Sequence, residues 1–129
     1  MTELNTKKLA SLYKKILSFN AARGWDPSAQ NLAKSVVIEA AELLEHFQWD
    51  SQDYGPKEKD LTEVGYEMAD IVWYLLLLAN KMDIDLVQSL ESKYEHNDKK
   101  YPADKFNGQH NSEFYYAQKQ KYRAEKQKK

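Results

Sequence analysis

The stretch Ile71-Val72-Trp73-Tyr74-Leu75-Leu76-Leu77-Leu78-Ala79 is apolar at every position, and no other feature constrains the fold as much. A helix that carries it is apolar around its whole circumference, with no face suited to water. It falls well short of the roughly 20 residues that a membrane-spanning helix needs, so protein must cover it on all sides. Only four glycines and three prolines interrupt the 129 residues, and no window shows the sustained alternation of a half-buried strand. The expected fold is all-α and four-helix-bundle-like. Four helices of such length offer few neighbours inside one subunit, so a second copy is expected to cover part of the apolar helix.

The breaks between helices follow from local chemistry. Leu9, Leu12, Tyr13, Ile16 and Phe19 recur at helical spacing, and the first helix should end near Arg23-Gly24, where glycine serves as a C-terminal cap. Asp26-Pro27 then suits the start of a second helix, with Asp as N-cap and Pro at the first helical position, running to about Trp49. Residues 50–60, with Gly55-Pro56 and several charges, read as the clearest loop. A third helix should run from Lys57 or Asp60 to Lys81. A fourth, carrying Leu86, Leu90 and Tyr94, should run from Asp85 to about Asn97 and stop before Tyr101-Pro102. The helical domain is expected to span residues 1–108. Residues 109–129, rich in Lys, Gln and Tyr and only weakly helical in pattern, read as a mobile appendage or docking arm.

Nineteen Lys and Arg against twenty Asp and Glu give a net charge of -1, which removes any global electrostatic case for nucleic acid or a membrane. The charge is unevenly spread: residues 103–129 hold seven basic and three acidic residues, so residues 1–102 are acidic. The absence of cysteine excludes a disulfide framework, a thiolate metal site and a cysteine nucleophile, and fits a reducing compartment. Met1-Thr2-Glu3-Leu4-Asn5 does not read as the start of a signal peptide. A cytoplasmic protein is expected.

Two helices each turn a pair of acids toward their apolar side. At 100° per residue Glu39 and Glu42 lie about 60° apart, and Glu39 falls about 20° from Leu32. Glu67 and Asp70 repeat the offset on the third helix, with Glu67 within about 40° of Ile71 and Leu78; Glu63 and Tyr74 extend the strip. Basic partners are scarce: after Asn31 the second helix offers only Lys34, and the third has no Lys or Arg between Lys59 and Lys81. If the pairs converge, each like-charge contact near 4 Å costs about 4 kcal/mol at an effective dielectric of about 20, and bound cations resolve the repulsion. An all-oxygen set suits Mg2+ or Mn2+, which accept phosphate oxygens as further ligands. A single acidic pair would read as a solvated face paired with lysines; two pairs bedded in apolar sequence favour metal. A di-iron bundle ranks lower, because such sites use Glu-x-x-His and His46 stands four residues after Glu42.

The ordered blocks Arg23-Gly24-Trp25, Asn31-Leu32-Ala33, Ile38-Glu39-Ala40-Ala41-Glu42 through Trp49, Glu67-Met68-Ala69-Asp70-Ile71, and Lys93, Asn97 and Lys100-Tyr101-Pro102 resemble the MazG-like, all-alpha nucleoside triphosphate pyrophosphohydrolases. The resemblance runs from about Phe19 to Gly108. It implies magnesium-dependent hydrolysis of a nucleoside triphosphate to monophosphate and pyrophosphate by a helical dimer or dimer of dimers. Carried over residue by residue, it assigns Glu39, Glu42, Glu67 and Asp70 to the metal and catalysis. It assigns Lys93, Asn97, Lys100 and Tyr101 to the triphosphate, and Trp49 and Tyr74 to a base pocket, with Trp25 and Asn31 among the substrate-binding candidates. Relatives that cleave deoxycytidine triphosphate carry a longer segment, with a histidine, where this chain has residues 26–30, so base preference does not transfer. The expected partners are a nucleoside triphosphate and a second copy of the chain. The competing reading is a noncatalytic helical dimer that binds nucleotide or a protein through its basic tail.

Overall fold

The computed structural model describes residues 6–48, 60–106, 108 and 112–127. Among them are five helices and no strand: α1 (Thr6–Ala22), α2 (Ala29–Glu45), α3 (Leu61–Lys81), α4 (Leu86–Lys100) and α5 (Ser112–Lys126). The all-α expectation holds, with one helix more than the four expected, because residues 112–126 of the tail form α5. No described helix is long and apolar enough to cross a membrane. The chain divides into two compact units, Met1–Asp85 and Leu86–Lys129.

In the first unit, α1 ends as its sequence predicts. Gly24 adopts φ +64°, and the amides of Gly24 and Trp25 donate to the carbonyls of Ala21 and Asn20 at 3.1 and 3.0 Å. This is the paired Schellman closure, which places the left-handed residue just beyond the helix. The same closure ends α3. There Asp83, at φ 53°, takes the left-handed position, and the amides of Asp83 and Ile84 donate to Asn80 and Ala79. The start of α2 differs from the expectation. Its N-cap is Ser28, whose hydroxyl accepts from the Asn31 amide at 3.2 Å, while Asp26 and Pro27 precede the helix. Asp26 is engaged elsewhere: it accepts a hydrogen bond from the Lys81 ammonium at the end of α3. α2 also stops at Glu45, earlier than expected, and Trp49 lies outside the described residues. Asp60 caps α3 by accepting from the Thr62 amide at 2.9 Å.

α3 packs mainly on α2 and also on α1. The core is small: Ile16 of α1, Leu32 of α2 and Leu77 of α3, flanked by Leu17, Trp73, Tyr74, Leu76 and Leu78. Leu32 is the most enclosed, at 2% exposure, and burial of such a side chain is worth about 1.5–3 kcal/mol. Phe19 meets the rings of Trp73 and Trp25 edge-on at 5.4 and 5.9 Å.

The second unit is held by aromatic contacts. Tyr101 and Tyr115 stack at 5.4 Å with 8° between planes, Phe106 meets Tyr101 edge-on at 5.2 Å, and the Tyr122 hydroxyl lies 3.1 Å from His96 Nδ1. α5 therefore docks on the α4 end of its own unit through rings rather than aliphatic side chains.

Candidate functional site

Three of the four predicted acids converge. One carboxylate oxygen from each of Glu39, Glu67 and Asp70 lies within 4.8 Å of the other two. α2 supplies the first and α3 the other two, so the close packing of those helices brings the oxygens together. Glu39 and Glu67 are half-buried and Asp70 is exposed. Glu42 lies outside this group, exposed on α2 about 60° round from Glu39. Its charge still reaches the cluster. Burial raises the Glu39 pKa above the ordinary carboxylate value, and the negative charges of Glu42, Asp70 and Glu67 raise it further. A carboxylate held beside like charges in this way is relieved by a nearby cation. Oxygens on one hard cation lie at most about 4–5 Å apart and need no soft ligand, so this donor set fits a divalent ion. His46 Nε2 stands 4.0 Å from Glu67 Oε1, a long polar contact consistent with an ordinary role.

Beside the acids runs a cleft of about 690 Å³ lined by Phe19, Asn20, Trp25, Asp26, Asp70, Trp73, Tyr74 and Leu77, among others. Asp70, Trp73, Tyr74 and Leu77 follow one another at helical spacing, so one face of α3 carries both an acid of the cluster and the aromatic wall. Trp25 is 58% exposed, which leaves a broad indole face open at the rim. Arg23 helps to hold the opposite corner: its guanidinium lies 3.4 Å from the Phe19 ring centroid and donates to the Phe19 carbonyl at 3.0 Å. A second lobe of about 480 Å³ shares Asn20, Trp25, Asp26 and Leu77 and reaches Asn80 and Lys81.

Of the two expected base-pocket residues, Tyr74 lines the cleft and Trp49 lies outside the described residues; Trp25, a substrate-binding candidate, lines the cleft as well. Asn31 does not line either lobe and sits in the first turn of α2, its amide bonded to Ser28. Phe19, Asn20, Asp26 and Trp73 were not singled out as site residues. The signal for Trp73 was its spacing of three from Asp70; Asn20 and Asp26 reach the cleft only through the turn that closes α1.

Lys93, Asn97, Lys100 and Tyr101 belong to the second unit, where they share α4 and its end. The Asn97 carbonyl accepts from the Tyr101 amide at 2.8 Å, and Lys100 Nζ lies 4.9 Å from the Tyr101 ring centroid. Hydrogen bonding to Lys100 lowers the Tyr101 pKa, and the Tyr115 hydroxyl lowers it further. The His96 pKa is lowered first by desolvation and then by the charges of Lys93, Lys126, Lys100 and Lys99. Four lysine charges thus act on His96 near the end of α4.

Acids gathered from α2 and α3 beside an aromatic cleft form a concave site of the kind that takes a small ligand next to a cation. A model of the MazG-like family matches residues 34–116, and the chain belongs to that family. It is 37% identical to mouse dCTP pyrophosphatase 1 over 93 residues, which cover 66% of this chain and 54% of that protein. The human dCTP pyrophosphatase 1 is 34% identical over the same length. The chain spans about half the length of these curated relatives. Among solved structures, a pyrophosphatase from Archaeoglobus fulgidus superposes with a TM-score of 0.65 at 34% identity, covering 79% of this chain and 96% of that one.

Proposed function

We propose that the protein is a magnesium-dependent nucleoside triphosphate pyrophosphohydrolase that converts a (deoxy)nucleoside triphosphate to the monophosphate and pyrophosphate and so clears unwanted nucleotides. The observation that carries this reading is the convergence of Glu39, Glu67 and Asp70 oxygens within 4.8 Å on a cleft that Asp70 itself lines. The pyrophosphatase names of the relatives support it.

Glu39, Glu67 and Asp70, with Glu42 alongside, would hold the ion. When bound, a divalent cation offsets phosphate charge and acidifies a bound water. The residues do the rest. Trp25 and Tyr74 offer ring faces on which a nucleobase stacks, and Trp49 carries the same assignment by resemblance. Asn31 retains its assignment by resemblance alone. Lys93, Asn97, Lys100 and Tyr101, on the second unit, keep their assignment to the triphosphate by resemblance alone, as cationic and hydrogen-bonding groups. A carboxylate not spent on the ion can take the proton of the attacking water. Two copies would cover the apolar α3 surface.

The test is pyrophosphate release from a panel of nucleoside triphosphates with Mg2+, for wild type and for Asp70→Asn and Glu39→Gln. The expected outcome is turnover by wild type and a loss of at least about a hundredfold in each variant, with helicity by circular dichroism unchanged. Full activity in either variant, or a wild type that binds nucleotide without releasing pyrophosphate, overturns the reading; the second outcome favours the noncatalytic binder.

A further inference from the structure

The aromatic wall that includes Trp25 is braced by a residue that does not itself line the cleft. Arg23 belongs to neither lobe, yet it touches the backbone and the rings behind both. Its amide donates to the Asn20 carbonyl at 3.1 Å, one residue short of Phe19, the partner that a regular α-helical turn would give it. Its Nη1 group donates to the Phe19 carbonyl instead, at 3.0 Å, so the side chain serves one of the carbonyls that a helix end leaves over. Folding back in this way lays the guanidinium 3.4 Å from the Phe19 ring centroid and 5.8 Å from that of Trp25, both inside the reach of a cation–π contact. Phe19 and Trp73 are half-buried and meet edge-on at 5.4 Å. Trp25 is more than half exposed, and among the described residues its ring contacts are the Phe19 edge at 5.9 Å and the Arg23 guanidinium. A planar guanidinium can lie flat on a ring while donating in its own plane, which an ammonium cannot do.

We propose that Arg23 is a positioning residue for the stacking wall: through Phe19 and Trp25 it fixes the indole in the arrangement that receives a nucleobase, without touching the nucleotide itself. The inference rests on the hydrolytic reading above for what occupies the cleft. Because Arg23 acts through Trp25, its contribution falls on the base and not on the phosphates. It falls on purines and pyrimidines alike, since each offers a ring face.

The test is a binding cycle, measured by calorimetry with Mg2+ for wild type, Arg23→Ala, Arg23→Lys, Trp25→Ala and the double variant that combines Arg23→Ala with Trp25→Ala. The probes are the α,β-methylene analogues of dATP and dCTP, which lack a hydrolysable α–β bridge, and inorganic tripolyphosphate, which lacks a base. Arg23→Ala should weaken both analogues by about threefold to fivefold, the worth of an exposed cation–π contact, and leave tripolyphosphate unchanged. Arg23→Lys should lose nearly as much, because it keeps the charge without the flat stack. In the Trp25→Ala background, removing Arg23 should cost nothing further. In turnover of dATP and dCTP the same loss should appear in KM with kcat held, and helicity by circular dichroism should be equal across the set. Tripolyphosphate weakened as much as the analogues, full rescue by lysine, or an undiminished loss in the Trp25→Ala background each overturns the inference and leaves the hydrolytic reading intact. A wild type that binds the analogues but releases no pyrophosphate from the triphosphates sinks the hydrolytic reading, while the binding cycle still decides the role of Arg23. A protein that binds neither analogue overturns both.

Discussion

Glu39 carries the electrostatic cost of the candidate site. Its pKa is raised by burial and by three neighbouring carboxylates, so the folded state binds a proton at this residue more tightly than the unfolded chain does. For this group the linkage runs opposite to a salt-bridged acid: the fold is penalised at neutral pH, and the penalty is relieved as pH falls through the raised pKa. Glu39→Gln should therefore raise the thermal midpoint of the metal-free protein at neutral pH, and the gain over wild type should shrink as the buffer is acidified. Adding Mg2+ should stabilise wild type and have little effect on the variant. Scanning calorimetry across pH, with and without Mg2+, checks all three; a variant less stable than wild type in metal-free neutral buffer would show that Glu39 is not under strain. At this scale helical periodicity set two pairs of acids, Glu39 with Glu42 and Glu67 with Asp70, toward the apolar side of their helices, and three of the four bring their oxygens together. The sequence was silent on Asp26, whose Asp-Pro pairing looked like a helix start. The long-range partner Lys81 claims its carboxylate instead, and Ser28 caps α2.

At the level of the elements, the turn between α1 and α2 governs the cleft, since Trp25 and Asp26 follow directly on the left-handed Gly24. A Cβ at Gly24 would meet nothing within 4 Å, so the cost of Gly24→Ala is purely conformational, about 1 kcal/mol at φ +64°. Ser28→Ala should cost a similar amount, about 1 kcal/mol, by leaving the Asn31 amide without its cap. The two variants should differ in function: denaturant melts should show comparable losses, but Gly24→Ala should also weaken nucleotide binding because it moves the Trp25 wall. Equal binding by both would detach the turn from the cleft. The Arg23-Gly24 stop was legible because glycine at a helix end has a local cause. The helix of the tail was not: α5 has a weak apolar pattern, and its docking relies on Tyr115 and Tyr122 meeting Tyr101 and His96 from α4 and its end.

Across the whole molecule, the core leaves much apolar surface outside. Met68, Val72 and Leu75 are 55%, 46% and 37% exposed and fall within about 60° on α3, with Met68 opposite the buried Leu77. Val37, Ile38 and Leu44 of α2 are more than half exposed. A surface of this kind marks an interaction site, and a second copy of the chain is the occupant that the apolar run on α3 led us to expect. Light scattering should give at least twice the chain mass for wild type, and Val72→Asp should shift it toward the monomer with a lower thermal midpoint. A monomeric wild type at micromolar concentration would remove the dimer from the account.

The sequence by itself determined the helical class, the end of α1, the span of α3 and the acidic strip, because each depends on periodicity or on a neighbour a few residues away. Only the tertiary structure decided that Glu39, Glu67 and Asp70 bring their oxygens within 4.8 Å of one another, that Asp26 pairs with Lys81, and that Phe19 and Trp73 wall one cleft. Those relations join residues on different elements, and helical spacing places a side chain on a face without saying what stands opposite it.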